Sequence, residues 1–360
     1  MEHPLPEVGL FCADISGRSL SNVRCRLGRH FYPDFFSRRA TLNLTVAPER
    51  TCRAAEQNGW QPARLLLTLR QHSTFAFVKI LITGAAALVG SHFTQRLAGD
   101  DDVLALKRAD LDITDVAAVN SCVAAERPSL IINCAVVQVD EAEQNPAKAS
   151  AVNVDGPKFL AEAATQFGAE IIHFSTQYAF EGETIGRAPY TIEDEPRPVN
   201  VYGKTKVAGE QAVRDACARS YIIRTSWVYG SGKNSFLCTV HKDLESGKHV
   251  RAIDDIGSST TYVEDLIDRC RQIFNTRHYG TYHIVNAGVC SYYEFALEAG
   301  RLLGIKREQL DSLIEVIHER DMKRMAARPR YTPLRCLLSE ELGFAPMRDW
   351  RDALAEYVKA

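Results

Sequence analysis

Tyr202 and Lys206, in the run Asn200-Val201-Tyr202-Gly203-Lys204-Thr205-Lys206, place a phenol and an ammonium four residues apart. If the segment is helical, one turn sets both groups on the same face. A tyrosine hydroxyl has an unperturbed pKa of ~10 and is a poor proton donor and relay near neutrality unless a neighbouring cation favours its ionised form. The spacing makes Lys206 the candidate cation. Tyr229 and Lys233 repeat the spacing, but Gly230, Ser231 and Gly232 between them predict a loop, where the separation fixes no geometry. Thr176 adds a hydroxyl at the carboxyl end of an apolar run, the place where ligands sit in open α/β sheets.

The elements that must position these groups begin at Val78. The segment from Val78 to Gly99 reads as a short β-rich run, a small-residue turn and apolar residues at helical spacing. Exposed amides and the dipole at such a helix start suit a pyrophosphate. Gly84 and Gly90 stand at the first and third positions of a GxxGxxG turn, with Ala87 in the middle and Leu88 and Val89 beside it. An alanine forced into a left-handed conformation there costs ~1–2 kcal/mol, comparable with the ~1.4 kcal/mol of a tenfold affinity loss. An ordinary strand-to-helix turn accounts for the same two glycines equally well.

Alternation supplies the wider frame. A strand (103–106), a helix (114–126), a strand (130–134), a helix (154–167) and a strand (170–174) follow in sequence, predicting an α/β, doubly wound parallel sheet of Rossmann type. Two amphipathic helices (262–275 and 292–303), with a short strand (281–285) between them, predict a smaller carboxyl-terminal substrate lobe. The expected divisions are an extension over 1–77, a dinucleotide-binding domain over 78–225 and a substrate lobe over 226–360, the last two partly interleaved. Lys107 and Arg108 follow the second strand where an acidic residue would grip a ribose hydroxyl, so NADPH is favoured over NADH. Both are equally well read as solvated surface charges.

Composition narrows the partners. The 360 residues carry a formal charge of −2, which gives no global basic field for nucleic acid. The ten cysteines show no CxxC pair or metal-ligand spacing, as expected of reduced thiols in a cytoplasmic protein. No apolar run approaches the ~20 residues of a membrane span. Residues 1–77 hold ten Arg, six acidic residues and no Lys, and they lack sustained periodicity. We expect translation of the native protein to begin at Val78. Mass spectrometry of that protein should then find no peptide between Leu10 and Arg70, and finding one would refute the expectation.

From Val78 onward the chain resembles the dTDP-4-dehydrorhamnose reductase family of extended short-chain dehydrogenases/reductases. The likeness is carried by Leu111–Asp115, Ile132–Glu143, Phe174–Gly182, Asn200–Glu210, Arg224–Gly230, Asp254–Leu266, Tyr282–Ala296 and Ala327–Leu334, taken in order and spacing. It implies reduction of the 4-keto group of a nucleotide-linked 6-deoxyhexose. Tyr202 would protonate the nascent alkoxide, Lys206 would lower its pKa and hold the nicotinamide ribose, and Thr176 would orient the carbonyl. Asp112 and Ile113 match positions beside the adenine, and Asn133, Cys134 and Ala135 match the strand end that lines the cofactor. Trp227 matches a sugar-pocket aromatic. Arg328, among the basic residues Lys323, Arg324 and Arg330, matches an arginine near the diphosphate.

The sequence also departs from the family. Besides Ala87, the segment Val136-Val137-Gln138 is less polar than its counterpart, Ser259 replaces a frequent proline, and His92 stands where some members carry a glutamate implicated in a subunit-bridging Mg2+ site. No metal ligand set is read from the residues themselves; Mg2+ and a homodimer enter only through the resemblance. Two other functions share these features. One is a nucleotide-sugar epimerase or dehydratase that retains NAD; the other is a non-catalytic NADP-binding regulatory subunit like the methionine adenosyltransferase β subunit.

Overall fold

Short runs rich in isoleucine and leucine, buried along nearly their whole length, form a sheet that must be covered on both faces. In the computed structural model, which describes residues 78–99 and 101–359 and the backbone of Cys12–Ala13 and Ser19–Leu20, these runs are β1 (Lys79–Thr83), β2 (Asp102–Leu106), β3 (Leu130–Asn133), β4 (Glu170–Thr176) and β5 (Ser220–Thr225), joined by β6 (Gly280–His283). Their order across the sheet is β6-β5-β4-β3-β1-β2, and every pairing is parallel. The order reverses between β1 and β3, where an open α/β sheet has its ligand crevice. Contacts divide the chain into two units, Met1–Gln71 and His72–Ala360. In the first, Cys12–Ala13 pairs antiparallel with Ser19–Leu20; the expectation for 1–77 otherwise lies outside the described residues.

Alternating side chains serve two separate cores. Ile80, Ile82, Ile132, Ile172 and Ile223 face one way, with Phe93 and Leu97 of α1 (Leu88–Leu97). Leu81, Ile131, Ile171 and Ile222 face the other, beneath Val119 of α2 (Val116–Glu126), Leu160 of α3 (Gly156–Phe167) and Val213 of α4 (Val201–Ala216). α2 begins two residues later than its periodicity predicts, because the Asp115 carboxylate accepts from the Ala117 and Ala118 amides at 2.9 and 3.1 Å and caps it there. β4 runs two residues further than expected and carries Ser175 and Thr176 to the sheet's edge.

After β5 come α5 (Phe236–Glu245), α6 (Val263–Thr276), α7 (Tyr292–Leu302) and α8 (Trp350–Lys359). The strand expected at 281–285 is β6, and it extends the main sheet beside β5, with Tyr282 opposite Ile223. The carboxyl-terminal third therefore returns into the main sheet before building α7 and α8.

One ion pair fixes α4 to the sheet. Arg224 of β5 donates to both oxygens of Glu210 at 2.9 and 2.7 Å, and both side chains are buried. The Ser175 hydroxyl also donates to Glu210, and Arg214 lies 3.3 Å away. Burial acts to raise the Glu210 pKa, but the Arg224 hydrogen bonds and charge, with the Ser175 hydroxyl and the Arg214 charge, outweigh it and hold the carboxyl below its ordinary value. This contribution to stability is present above the unfolded carboxyl's pKa and lost as pH falls through the lower folded value. Glu210→Gln, which leaves the Arg224 charge buried, should cost about 3–5 kcal/mol. Urea unfolding at pH 7 measures it, and a loss below ~1 kcal/mol, the scale of an exposed pair, would contradict the anchoring role.

Candidate active site

The carboxyl ends of β3, β4 and β5 open with the β1–α1 turn into a crevice of about 440 Å³. Gly84 adopts φ +67°, and a Cβ there would stand 2.5 Å from the Ala135 nitrogen, so a side chain cannot pass over the end of β3. A Cβ at Gly90 would collide with the Gly84 carbonyl. Ala87 is extended, with φ −76° and ψ 160°. The left-handed strain considered for it is absent, since only the first glycine of the turn needs positive φ. No side chain caps α1, and Ala87, Leu88 and Val89 line the crevice. A helix start with open amides and its dipole suits an anionic group.

Asn133, Cys134 and Ala135 line the same crevice, whereas Lys107, Arg108, Asp112 and Ile113 do not. Lys107 and Arg108 are exposed just after Leu106, whose carbonyl accepts from the Ala85 amide at 3.1 Å. Arg108 lies 3.6 Å from Asp112. Hydrogen bonds from Thr114 hold the Asp112 carboxyl below its usual range. Ile113 is buried in the core against Gly156.

Thr176, Tyr202 and Lys206 converge on the crevice. Asn200 caps α4 by accepting from the Gly203 amide at 2.7 Å, and the next turn brings Lys206 onto the Tyr202 face. Burial pushes the Tyr202 phenol up to about 12, while the neighbouring Thr176 hydroxyl pulls the other way. The phenol is therefore protonated near neutrality, which suits a donor; the acidified phenol expected from the sequence is not what this geometry holds. Burial lowers Lys206 to about 8 against the opposing pull of Glu210 and Cys134. Thr176 donates to the Gln177 side-chain oxygen and accepts from the Tyr178 amide, each at 3.1 Å.

Trp227 lines the crevice at φ +39°, its ring centroid 4.1 Å from that of Tyr292. Arg328 does not line it: the guanidinium is 2.7 Å from Asp140 and also donates to the Ala326 carbonyl. Arg324, from the same basic run, does line it. His92 has Nδ1 2.6 Å from Glu264 and Nε2 2.9 Å from the Ser231 carbonyl. Both nitrogens face acceptors, so neither offers a metal a lone pair, and Mg2+ has no support at this position. Asp254, Asp255 and His318 bring ligand atoms within 4.8 Å of one another, but none lines the crevice.

Sequence reasoning missed several residues. His173 interrupts the apolar run from Ile171 to Phe174, a signal that could have found it. Asn153 is fully buried in a π-helical turn (Ala151–Asp155), accepts from the Val137 amide and donates to Thr205 on α4; nothing local marks that role. The loop predicted between Tyr229 and Lys233 is present, and it brings Lys233 to the crevice wall.

The arrangement is that of a dinucleotide-binding Rossmann fold with a tyrosine–lysine pair at the sheet's carboxyl edge. A family model, the RmlD substrate binding domain, matches residues 78–360, and the chain belongs to this family. It is 40% identical over 286 residues to the dTDP-4-dehydrorhamnose reductase of Mycolicibacterium smegmatis, covering 78% of this chain and 85% of that one. Among solved structures, the dTDP-4-dehydrorhamnose reductase of Clostridium acetobutylicum is 36% identical with a TM-score of 0.72, covering 78% of this chain and 98% of that one. That of Bacillus anthracis, in complex with NADP, is 31% identical with a TM-score of 0.73 and the same coverage.

Lys206 gives a direct check on the site. In protein free of ligands, its acylation by a small anhydride should reach half its limiting rate near pH 8, against ~10.4 for an unperturbed lysine. Peptide mapping across a pH series measures this, and a midpoint above 10 would contradict the burial described.

Proposed function

We propose that this chain is an NADPH-dependent reductase of a nucleotide-linked 4-keto-6-deoxyhexose, converting dTDP-4-dehydrorhamnose to dTDP-L-rhamnose. The observation that carries the reading is the convergence of Thr176, Tyr202 and Lys206 on one crevice whose other wall is the uncapped start of α1. The glycine turn and open amides fit the diphosphate of a dinucleotide, and Lys206 fits its ribose hydroxyls. Lys107 and Arg108, exposed beyond β2, are available to a 2′-phosphate. Bound NADPH supplies the hydride that reduces the carbonyl carbon.

Tyr202, protonated at neutral pH, gives its proton to the oxygen as negative charge develops there. Thr176 turns its hydroxyl from Gln177 to that oxygen and fixes its orientation. Lys206 supplies positive charge beside the tyrosinate left behind. Trp227 and Tyr292 form an aromatic wall suited to a sugar face, and Arg324 is the guanidinium suited to the sugar's diphosphate.

The regulatory reading rests on two departures from the family, Ala87 and the segment Val136-Val137-Gln138; the relaxed conformation of Ala87 weakens the first. Tyr202→Phe should lower kcat by roughly 10²-fold or more while leaving NADPH binding intact. With dTDP-4-dehydro-6-deoxy-L-mannose, the unaltered protein should oxidise one NADPH per product, followed by absorbance. Turnover without net NADPH loss would indicate an epimerase or dehydratase, and no turnover at all would sink the enzymatic reading.

A further inference from the structure

A line of hydrogen bonds runs across the sheet to Lys206. The Thr83 hydroxyl of β1 donates to the Asn133 side-chain oxygen at 2.8 Å, and the Ala135 amide donates to the same oxygen at 3.2 Å. Two donors thus fix which end of the Asn133 amide is oxygen. Its NH₂ end stands 3.1 Å from Nδ1 of His173. An amide NH₂ can only donate, so Nδ1 must carry its lone pair, and the single hydrogen of the neutral ring sits on Nε2. Nε2 lies 3.4 Å from Nζ of Lys206. Asn133 and His173 are both buried, His173 completely.

We propose that His173 is a positioning residue for Lys206: with its tautomer set by Asn133, it presents Nε2–H to Nζ, holds the side chain at the crevice wall and makes the neutral amine easier to reach in the ligand-free protein. An ammonium there would set N–H against N–H, whereas an amine accepts. The other groups facing Lys206 do not override this. Just beyond β3, burial keeps the Cys134 thiol protonated. On α4, the Glu210 carboxylate is held by Arg224 and Arg214, and Tyr202 stays a neutral phenol. Burial foremost, with the charge of Arg214, keeps His173 itself unprotonated. Hydroxyl groups arriving in the crevice would give Nζ acceptors and strengthen its hold on the proton. The inference rests on the proposed role of Lys206, because only there does its protonation state affect turnover.

Two measurements test it. Imidazole ¹⁵N shifts of the ligand-free protein should report His173 as the neutral Nε2–H tautomer from pH 5.5 to 8.5; an Nδ1–H ring or an imidazolium at pH 7 overturns the proposal without any mutation. In His173→Leu, the acylation midpoint of Lys206 should rise by about one pH unit, a tenfold lower rate at a fixed pH below the midpoint. In turnover, the alkaline limb of the kcat profile should move the same way while KM changes little. An unchanged midpoint in a variant that still binds NADPH overturns the proposal. Failure of Tyr202→Phe to impair turnover would instead overturn the proposed reaction and leave the His173 measurements standing.

Discussion

The Glu210–Arg224 pair decides where α4 lies, and α4 decides where Tyr202 and Lys206 point. A bidentate guanidinium–carboxylate contact fixes both distance and orientation, and this one joins β5 to a helix position one turn beyond Lys206. Its satisfaction by Arg224, Ser175 and Arg214 leaves Glu210 without free acceptor capacity for Lys206. The lysine therefore feels Glu210 only as a charge at a distance, and its other buried neighbours, His173, Tyr202 and Cys134, are neutral. Such a pair is weak as a source of net stability and strong as a specification of geometry, because misplacing either partner strands a charge in the interior.

Close approach of backbones is the second constraint. Gly84 passes over the end of β3, Gly90 lies against the Gly84 carbonyl, and Gly209 faces the Asn153 carbonyl so closely that a Cβ could not fit. Together these contacts bring α1 and α4 to the rim of one crevice. Asn153 then ties the segment at Val137 to α4. The less polar run Val136-Val137-Gln138 is thus held through its backbone, which a change of side chains leaves intact.

Much of the α/β order could be read from the sequence, because strands apolar on both faces alternate with amphipathic helices. Boundaries moved where a side chain took over a backbone amide, as Asp115 does at α2. The return of β6 to the main sheet left no local trace, since it depends on pairing with a strand more than fifty residues earlier. At the site, Tyr202, Thr176 and Lys206 were legible from spacing and position. The electrostatics were not: spacing alone suggested an ammonium acidifying a phenol, whereas burial raises the phenol and lowers the amine. Arg328 showed the same limit, because its attachment to Asp140 joins positions 188 residues apart.

The contrast between Cys134 and Lys206 has a practical side. Both line the crevice, but burial keeps the thiol from ionising, while it brings the lysine's amine form within reach at about pH 8. Electrophilic warheads chosen for soft sulfur would find little purchase. Inhibitors carrying an aryl aldehyde, able to condense reversibly with an amine, match this pocket better.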